Sequence, residues 1–215
     1  MPTQNDCNYS PTQYEVQVGG ANGALASLAT GSINYVLTSN GAGNAPTFQA
    51  NPAGTWVKLS TQNPSGVGSV PFTSLISNTY NSYAVLFSNV TLSAGSNLEL
   101  EISSNNGSSW LSSTYISGFW YLQYNSVTLT NINSSSIFLI GTGLASSVQC
   151  SGYIMLYNFG SSGLPSINGQ SITQKTAGIQ FFGGYVTTSA TYNAISFLST
   201  TGNISGTFTL YGIVQ

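Results

Sequence analysis

Hydrophobic and polar residues alternate with a period of two along the last stretch of the chain. The two sets are Phe208, Leu210, Gly212 and Val214 on one side and Thr207, Thr209, Tyr211 and Ile213 on the other. Such alternation is typical of a β-strand, in which successive side chains point to opposite faces of a sheet. The glycines of 202–206 predict a turn before it. We therefore expect the last strand to be an integral member of a sheet.

A second pattern, an unbroken apolar run, occupies Ser82–Phe87 and continues as far as Leu92. It predicts a central strand that is buried on both faces. Further strands are predicted at 55–59, 98–102, 117–123, 126–130, 136–140, 149–157, 178–182 and 191–198. Pro71 marks an edge strand or a turn. Asn106-Gly107, within 105–108, carries the strongest hairpin signal, because Asn-Gly favours a type I′ turn.

No stretch has the 3.6-residue period and the caps of a helix. About nine to eleven short strands separated by Gly, Ser and Asn turns predict an all-β fold. The architecture that fits best is a jelly-roll-like two-sheet β-sandwich over residues 53–215. Residues 1–52 differ, since glycine and asparagine interrupt every short apolar run. Such a segment cannot bury a core of its own, so we predict an extended N-terminal arm that is ordered by neighbouring subunits or by another component.

Charge is almost absent from this chain. It has two Lys or Arg, four Asp or Glu and no His, so that 3% of its residues are charged, against ~25% in an ordinary globular protein. With 41% hydrophobic residues it is not a disordered polar chain. A formal net charge of −2 gives a free monomer little colloidal repulsion, which favours permanent assembly as a homo-oligomer. Nucleic-acid binding is not expected without basic patches, and no apolar run approaches the ~18 residues of a membrane span.

Candidate catalytic chemistry is sparse. Without histidine, a Ser-His-Asp or Cys-His nucleophile is excluded. Glu99 and Glu101 form a carboxylate pair on one face of a predicted strand whose other face is Leu98, Leu100 and Ile102. The pair is interpreted as a solvated or edge-protecting pair, with cation binding beside a neighbouring subunit and an inverting glycosidase pair as alternatives. We predict no enzyme activity, no cofactor and no metal.

The two cysteines, Cys7 and Cys150, are far apart in the sequence and lie in no metal or redox spacing. The sequence leaves open whether they pair. Cys150 lies within a strand pattern and is interpreted as a small buried hydrophobic residue.

Aromatic residues are the one class with binding potential. They crowd a stretch of fifteen residues: Trp110, Tyr115, Phe119, Trp120, Tyr121 and Tyr124. Exposed Trp and Tyr rings stack on sugar rings and dominate protein contacts. The alternative is that alternate members fill the core or a subunit interface. Trp110, Tyr115, Trp120, Tyr121 and Tyr124 are therefore candidate glycan or interface contacts.

Two segments resemble proteins of tailed bacteriophages. The stretch GSINYVLTSNGAGNAPTFQ at 31–49 resembles the G-x-x-x-x-V-L-T-S-N-G-x-G-x-A-P-T-F/W segment of tail-fibre and other virion proteins. The stretches SSNNGSSW at 103–110 and SGTFTLYGI at 205–213 resemble the globular β-sandwich modules of the same class. The resemblance implies a virion structural protein, and together with the near absence of charge it favours a homotrimer.

In that interpretation the arm attaches to other virion proteins, with Tyr35, Val36, Leu37 and Phe48 as its contact residues. The leading role is a tail-fibre or adhesin component on the particle surface that contacts the host, with a host surface glycan as a candidate partner. The alternatives are a capsid decoration protein and a carbohydrate-binding module. Neither nucleic acid nor membrane insertion is part of any of these roles.

Overall fold

The protein is all-β. The computed structural model describes residues 16–19, 25–28, 32, 35–50, 56–123, 126–130, 138–174 and 178–214. These residues form seventeen strands and no helix, which confirms the predicted fold class. The chain divides into two compact units, Met1–Ala53 and Gly54–Gln215.

The N-terminal unit contains two antiparallel hairpins. The first pairs β1 (Val16–Gly19) with β2 (Leu25–Leu28), and the second pairs β3 (Tyr35–Thr38) with β4 (Thr47–Ala50). These four strands were not predicted from the sequence, because each is only four residues long.

The second unit contains thirteen strands, more than predicted. Their bounds are β5 Trp56–Gln62, β6 Ser65–Val67, β7 Ser69–Phe72, β8 Ser82–Leu92, β9 Ser96–Ser103, β10 Tyr115–Gln123, β11 Ser126–Thr130, β12 Phe138–Leu144, β13 Cys150–Tyr157, β14 Ser166–Thr173, β15 Gly178–Val186, β16 Ala194–Ser199 and β17 Ile204–Ile213. They form a large sheet in the order β11-β10-β15-β14-β13-β8-β17-β5, with β6 also paired to β17, and a small sheet in the order β12-β9-β16-β7.

Eight of these strands have jelly-roll topology. The pairs β5–β17 and β8–β13 lie in the large sheet, while β7–β16 and β9–β12 lie in the small one. Each pair joins an early strand to a late one, as expected when a long antiparallel ribbon rolls up into two packed sheets. This arrangement confirms the predicted jelly-roll-like two-sheet sandwich.

The other strands of the large sheet are additions to this roll. The pair β10–β11 is inserted between β9 and β12, and the pair β14–β15 is inserted between β13 and β16. Together they extend the large sheet beyond β13 by four strands. The inserted strands therefore build a surface that the eight-stranded roll does not need for its own closure.

A core of buried aromatic and aliphatic side chains lies between the two sheets. The ring of Phe197, on β16 of the small sheet, lies 4.7 Å from that of Phe208, on β17 of the large sheet. Phe87 on β8 stacks on Phe208 at 6.2 Å, and Phe72 on β7 meets Phe197 edge-on at 6.4 Å. These rings join both sheets through one hydrophobic cluster.

The last strand lies where the alternation predicted. Phe208 and Leu210 are fully buried, and β17 runs between β8 and β5 inside the large sheet. Pro71 lies on β7, at the edge of the small sheet, which confirms the prediction of an edge strand.

Two sequence predictions are wrong in detail. The central strand β8 is buried on both faces only over Ser82–Val85, because its outer face is exposed from Leu86, which is 40% exposed. The turn at 105–108 forms, with positive φ at Asn106 and Gly107, but it does not join a hairpin. The strand before it, β9, belongs to the small sheet, and the strand after it, β10, belongs to the large sheet.

Candidate functional site

The outer face of the large sheet carries many exposed apolar side chains. We call it the open face. Its exposed large residues are Trp56, Leu86, Ile116, Trp120, Tyr153, Tyr157, Ile172, Phe181 and Tyr185. Exposed apolar surface of this extent marks contact sites with other molecules.

The strand registers order these side chains into rows across the sheet. Trp120 on β10 lies directly opposite Phe181 on β15. In the same row, Tyr153 on β13 lies opposite Leu86 on β8. Directly opposed residues of antiparallel strands have their Cβ atoms about 4.5–5.5 Å apart, so each pair forms a continuous apolar surface.

The open face is also almost without charge. Only three described residues carry a formal charge, and of these only Lys58 on β5 lies on this face. Five strand spacings separate β5 from β15, which is roughly 25 Å. Among the described residues, no formal charge therefore lies near the far end of the face.

A shallow trough crosses the open face between β10 and β15. It is lined by Gly118, Trp120, Phe181, Phe182 and Gly183 and has a volume of about 280 Å³. Gly118 and Gly183 lie directly opposite each other in the register, so no side chain rises from the floor at this point. A Cβ atom built on Gly118 meets nothing within 4 Å. The missing side chains therefore create the concavity.

The predicted aromatic contacts separate into exposed and inner residues. Trp120 is 56% exposed and forms one wall of the trough, whereas Tyr121 packs against the core. Trp110 is half-buried in the segment after β9, with its ring against Gly107. Tyr124 lies outside the described residues.

The prediction that Tyr115 is a surface contact is wrong, because its side chain is buried. Its hydroxyl accepts a hydrogen bond from the Ile102 N–H at 3.1 Å and donates one to the Leu111 carbonyl at 3.0 Å. Its ring meets Phe138 edge-on at 4.8 Å. Burial raises the pKa of the Tyr115 hydroxyl well above its usual range. The residue thus fastens β10 to the small sheet.

Phe181, Gly183 and Tyr153 were not predicted as surface residues, because they reach the same face only through strand pairing. One signal was present: the stretch GIQFFGGYV at 178–186 places Phe181 and Tyr185 on the same side of a strand, with Gly183 between them.

The outer face of the small sheet carries the two glutamates. Glu99 and Glu101 are half-buried on β9, on the side opposite Leu98, Leu100 and Ile102. Burial raises the pKa of both carboxyl groups above the ordinary value of 4.5. Among the residues that the structure describes, no group of three or more His, Cys, Asp or Glu could hold a metal ion. Whether the pair binds a cation stays a prediction.

Cys150 is buried at the start of β13 and is a free thiol. Burial raises its pKa to about 12. The thiolate is the reactive form of cysteine, so this residue is chemically inert in the fold. Cys7 lies outside the described residues.

In the N-terminal unit, the motif at 31–49 contains the turn that joins β3 to β4. The Asn40 side-chain amide donates to the Ala45 carbonyl at 2.7 Å and to the Thr47 hydroxyl at 3.1 Å. Gly41 and Gly43 have φ values of 90° and 81°, which favour glycine. Asn40, Gly41 and Gly43 of the motif therefore have a structural role in the turn.

One side of this hairpin is apolar and uncovered. Leu37 lies opposite Phe48 in the register, and Tyr35 lies two residues before Leu37 on the same side. Tyr35, Val36 and Leu37 are exposed, while Phe48 is half-buried. An isolated two-stranded hairpin is only marginally stable in water, so such a face gains most from a partner.

Comparison with protein-family models, with curated proteins and with solved structures found no match for this chain. In the described part of the chain, no helix has the length and apolar character needed to cross a membrane.

Proposed function

We propose that this protein is a non-enzymatic structural protein of a phage-type virion. In this proposal it is a homotrimeric tail-fibre or adhesin component on the particle surface. The N-terminal unit attaches it to other virion proteins, and the jelly-roll unit is presented to the host.

The observation that supports this proposal most is the open face. Its exposed Trp, Phe, Tyr and Leu side chains occur in a chain with only 3% charged residues. A monomer with this surface has neither charge repulsion nor a polar cover to keep it apart from other molecules. Permanent assembly in a particle removes that liability.

The centre of the open face is the part that we assign to self-association. Leu86 and Tyr153 are directly opposed there, and each is 40% exposed. A second copy meets no like charge at this point, since Lys58 lies near the edge of the sheet. Apolar burial contributes roughly 25 cal/mol per Å² of surface removed from water, so covering this part of the open face with a neighbouring copy stabilises the assembly.

The N-terminal unit is assigned to attachment because its second hairpin leaves Tyr35, Val36 and Leu37 exposed. The turn held by Asn40 keeps these residues on a defined strand. A partner surface that covers Tyr35, Leu37 and Phe48 would give the hairpin the packing that it lacks on its own.

Immunogold microscopy tests the proposal on intact particles. Antibodies raised against residues 54–215 are applied to particles purified from the culture that produces the chain. We expect label at the tail or at its fibres, at a small number of sites per particle.

Label spread over the whole shell would instead identify a capsid decoration protein. Absence of the chain from the particles, with the soluble protein in the culture carrying all of the label, would overturn the proposal of a virion protein.

A further inference from the structure

We propose that the trough between β10 and β15 binds one neutral sugar ring of a glycan. This inference deepens the role in host attachment and rests on that proposed function. Four residues carry it: Gly118, Gly183, Trp120 and Phe181.

The shape of the trough fits a single ring. Gly118 and Gly183 contribute no side chain to its floor. On one side of this pair, Trp120 on β10 and Phe181 on β15 form the next outward-facing pair. On the other side of the glycine pair, Ile116 and Tyr185 form the next outward-facing pair. The volume of about 280 Å³ lies just below the range for pockets that hold drug-sized ligands, about 300–1,000 Å³. It suits one ring, and its open top lets a longer glycan continue on either side.

The chemistry of the walls suits a ring with apolar C–H groups and polar hydroxyls. The faces of aromatic rings carry partial negative charge, which attracts the weakly positive C–H groups of a pyranose. Trp120 is the most exposed of the large apolar side chains on the open face. A sugar can therefore stack on the exposed Trp120 ring over a broad contact without disturbing the packing of the protein.

Polar groups for the hydroxyls lie on the neighbouring strand β14. Asn168 is paired with Gly183, and Gln170 is paired with Phe181. Both are on the outer face, and neither side-chain amide makes a hydrogen bond with another described residue. Each amide offers two donors and one acceptor, which is the set that vicinal hydroxyls require.

The described charged residues lie far from the trough, which favours a neutral ligand. Of the described charged residues, Glu99 and Glu101 are on the small sheet and Lys58 is at the other end of the large one. A nucleobase would also stack on Trp120, but its phosphates draw their affinity from Lys and Arg, which the trough lacks. The carboxylate of an anionic sugar would find no cation to pair with among the described residues around the trough.

The variant Gly118→Val fills the trough without disturbing the sheet. Its Cβ meets nothing within 4 Å, and its φ lies outside the left-handed region. Valine is also favoured in strands. At Gly183, by contrast, a Cβ would come within 3.2 Å of the Ile167 carbonyl oxygen, so a substitution there tests packing as well.

The experiment titrates the full chain with neutral oligosaccharides of glucose, galactose, mannose and N-acetylglucosamine, first on an array and then in solution. Sialylated versions of the same oligosaccharides provide the charge comparison. The variants are Trp120→Ala and Gly118→Val, with Trp56→Ala as the matched control. Trp56 is an exposed tryptophan on the same face, next to Tyr211 and far from the trough. Thermal unfolding of each variant checks the fold.

We expect at least one neutral oligosaccharide to bind. Trp120→Ala and Gly118→Val should each weaken binding about tenfold or more, which corresponds to about 1.4 kcal/mol, and Trp56→Ala should leave it unchanged. Sialylation should not strengthen binding.

Two results would overturn the inference: binding to none of the neutral sugars, or binding that Gly118→Val leaves intact. Neither result touches the virion proposal, which depends on the location of the chain in particles. If Gly118→Val changes the mass of the assembly and leaves glycan binding unchanged, the trough belongs to a subunit interface instead.

Discussion

The two outer faces of the sandwich cover the same core but differ in chemistry. On the small sheet, β9 presents Glu99 and Glu101 on its outer side. On the large sheet, the corresponding side presents Trp120, Phe181 and Leu86. The first face is of the kind that antiparallel sheets usually turn to water, with apolar residues inward and polar residues outward. The second has apolar residues on both sides.

This difference indicates which side of the body meets other molecules. Charged side chains keep the face of the small sheet solvated and disfavour close approach of a like face. The open face of the large sheet has no comparable protection across most of its width, since its one described charge is Lys58. We therefore infer that the outer face of the small sheet is exposed to solvent and that the open face of the large sheet contacts other molecules.

The largest expected effect comes from the core that both faces share. Phe197→Ala removes a fully buried ring that contacts Phe72, Phe87 and Phe208. It should lower the free energy of unfolding by about 3–5 kcal/mol, measured by chemical denaturation. Phe181→Ala is the matched control on the open face and should cost about 1 kcal/mol or less. Equal costs at both positions would mean that the open face is packed like a core.

A smaller effect is expected from the glutamates of the small sheet. The pKa of each carboxyl group is raised in the fold, because burial disfavours the charged form. The stability that each protonated group contributes is present below the ordinary pKa of 4.5 and is lost as the pH rises through the raised value. We therefore expect Glu99→Gln and Glu101→Gln to flatten the dependence of the unfolding free energy on pH. At neutral pH, each variant should have a slightly higher unfolding free energy than the wild type.

Thermal unfolding between pH 3 and pH 8 measures this effect in the wild type and in both variants. A wild-type stability that rises with pH over this window would contradict the assigned pKa direction.

The smallest effect is expected at the one described charge of the open face. Lys58→Gln should change the free energy of unfolding by about 0.5 kcal/mol or less, since exposed charges contribute little. It should also leave self-association and its salt dependence unchanged, as measured by sedimentation at low and high salt. A strong loss of association on this substitution would show that charge, rather than apolar contact, holds the copies together.

The fold was largely predictable from the sequence where the pattern was local. The bounds of β11 at Ser126–Thr130 match the prediction, and β17 follows the predicted alternation from Thr207 to Gly212. It departs from that alternation at its end, where Ile213 is buried and Val214 is 42% exposed. The strand β14 was missed, because Ser166–Thr173 holds only two large apolar residues, with Gly169 between them. Packing against the neighbouring strand requires glycine at position 169, because a Cβ atom there would come within 2.5 Å of the Phe182 ring.

The candidate site was predictable only in part, because local patterns in the sequence do not show which strands pair. Trp120 was chosen because aromatic residues cluster around it in the sequence. Its partner Phe181 is sixty-one positions away, and the two meet only because β10 and β15 pair. The floor of the trough depends on two glycines that carry no side-chain signal at all. Strand register, which local patterns do not determine, is what assembles the site.

Light scattering on the purified full chain tests the central claim, that the open face is a contact surface, most directly. The compared proteins are the wild type, Leu86→Glu, and the control Ser69→Glu, which adds the same charge to the exposed outer side of the small sheet. We predict a mass three times the 22.4 kDa of one chain for the wild type and for Ser69→Glu, and the mass of a single chain for Leu86→Glu. A wild type that stays at the mass of one chain at every concentration, or a Leu86→Glu variant that still forms the trimer, would contradict the account.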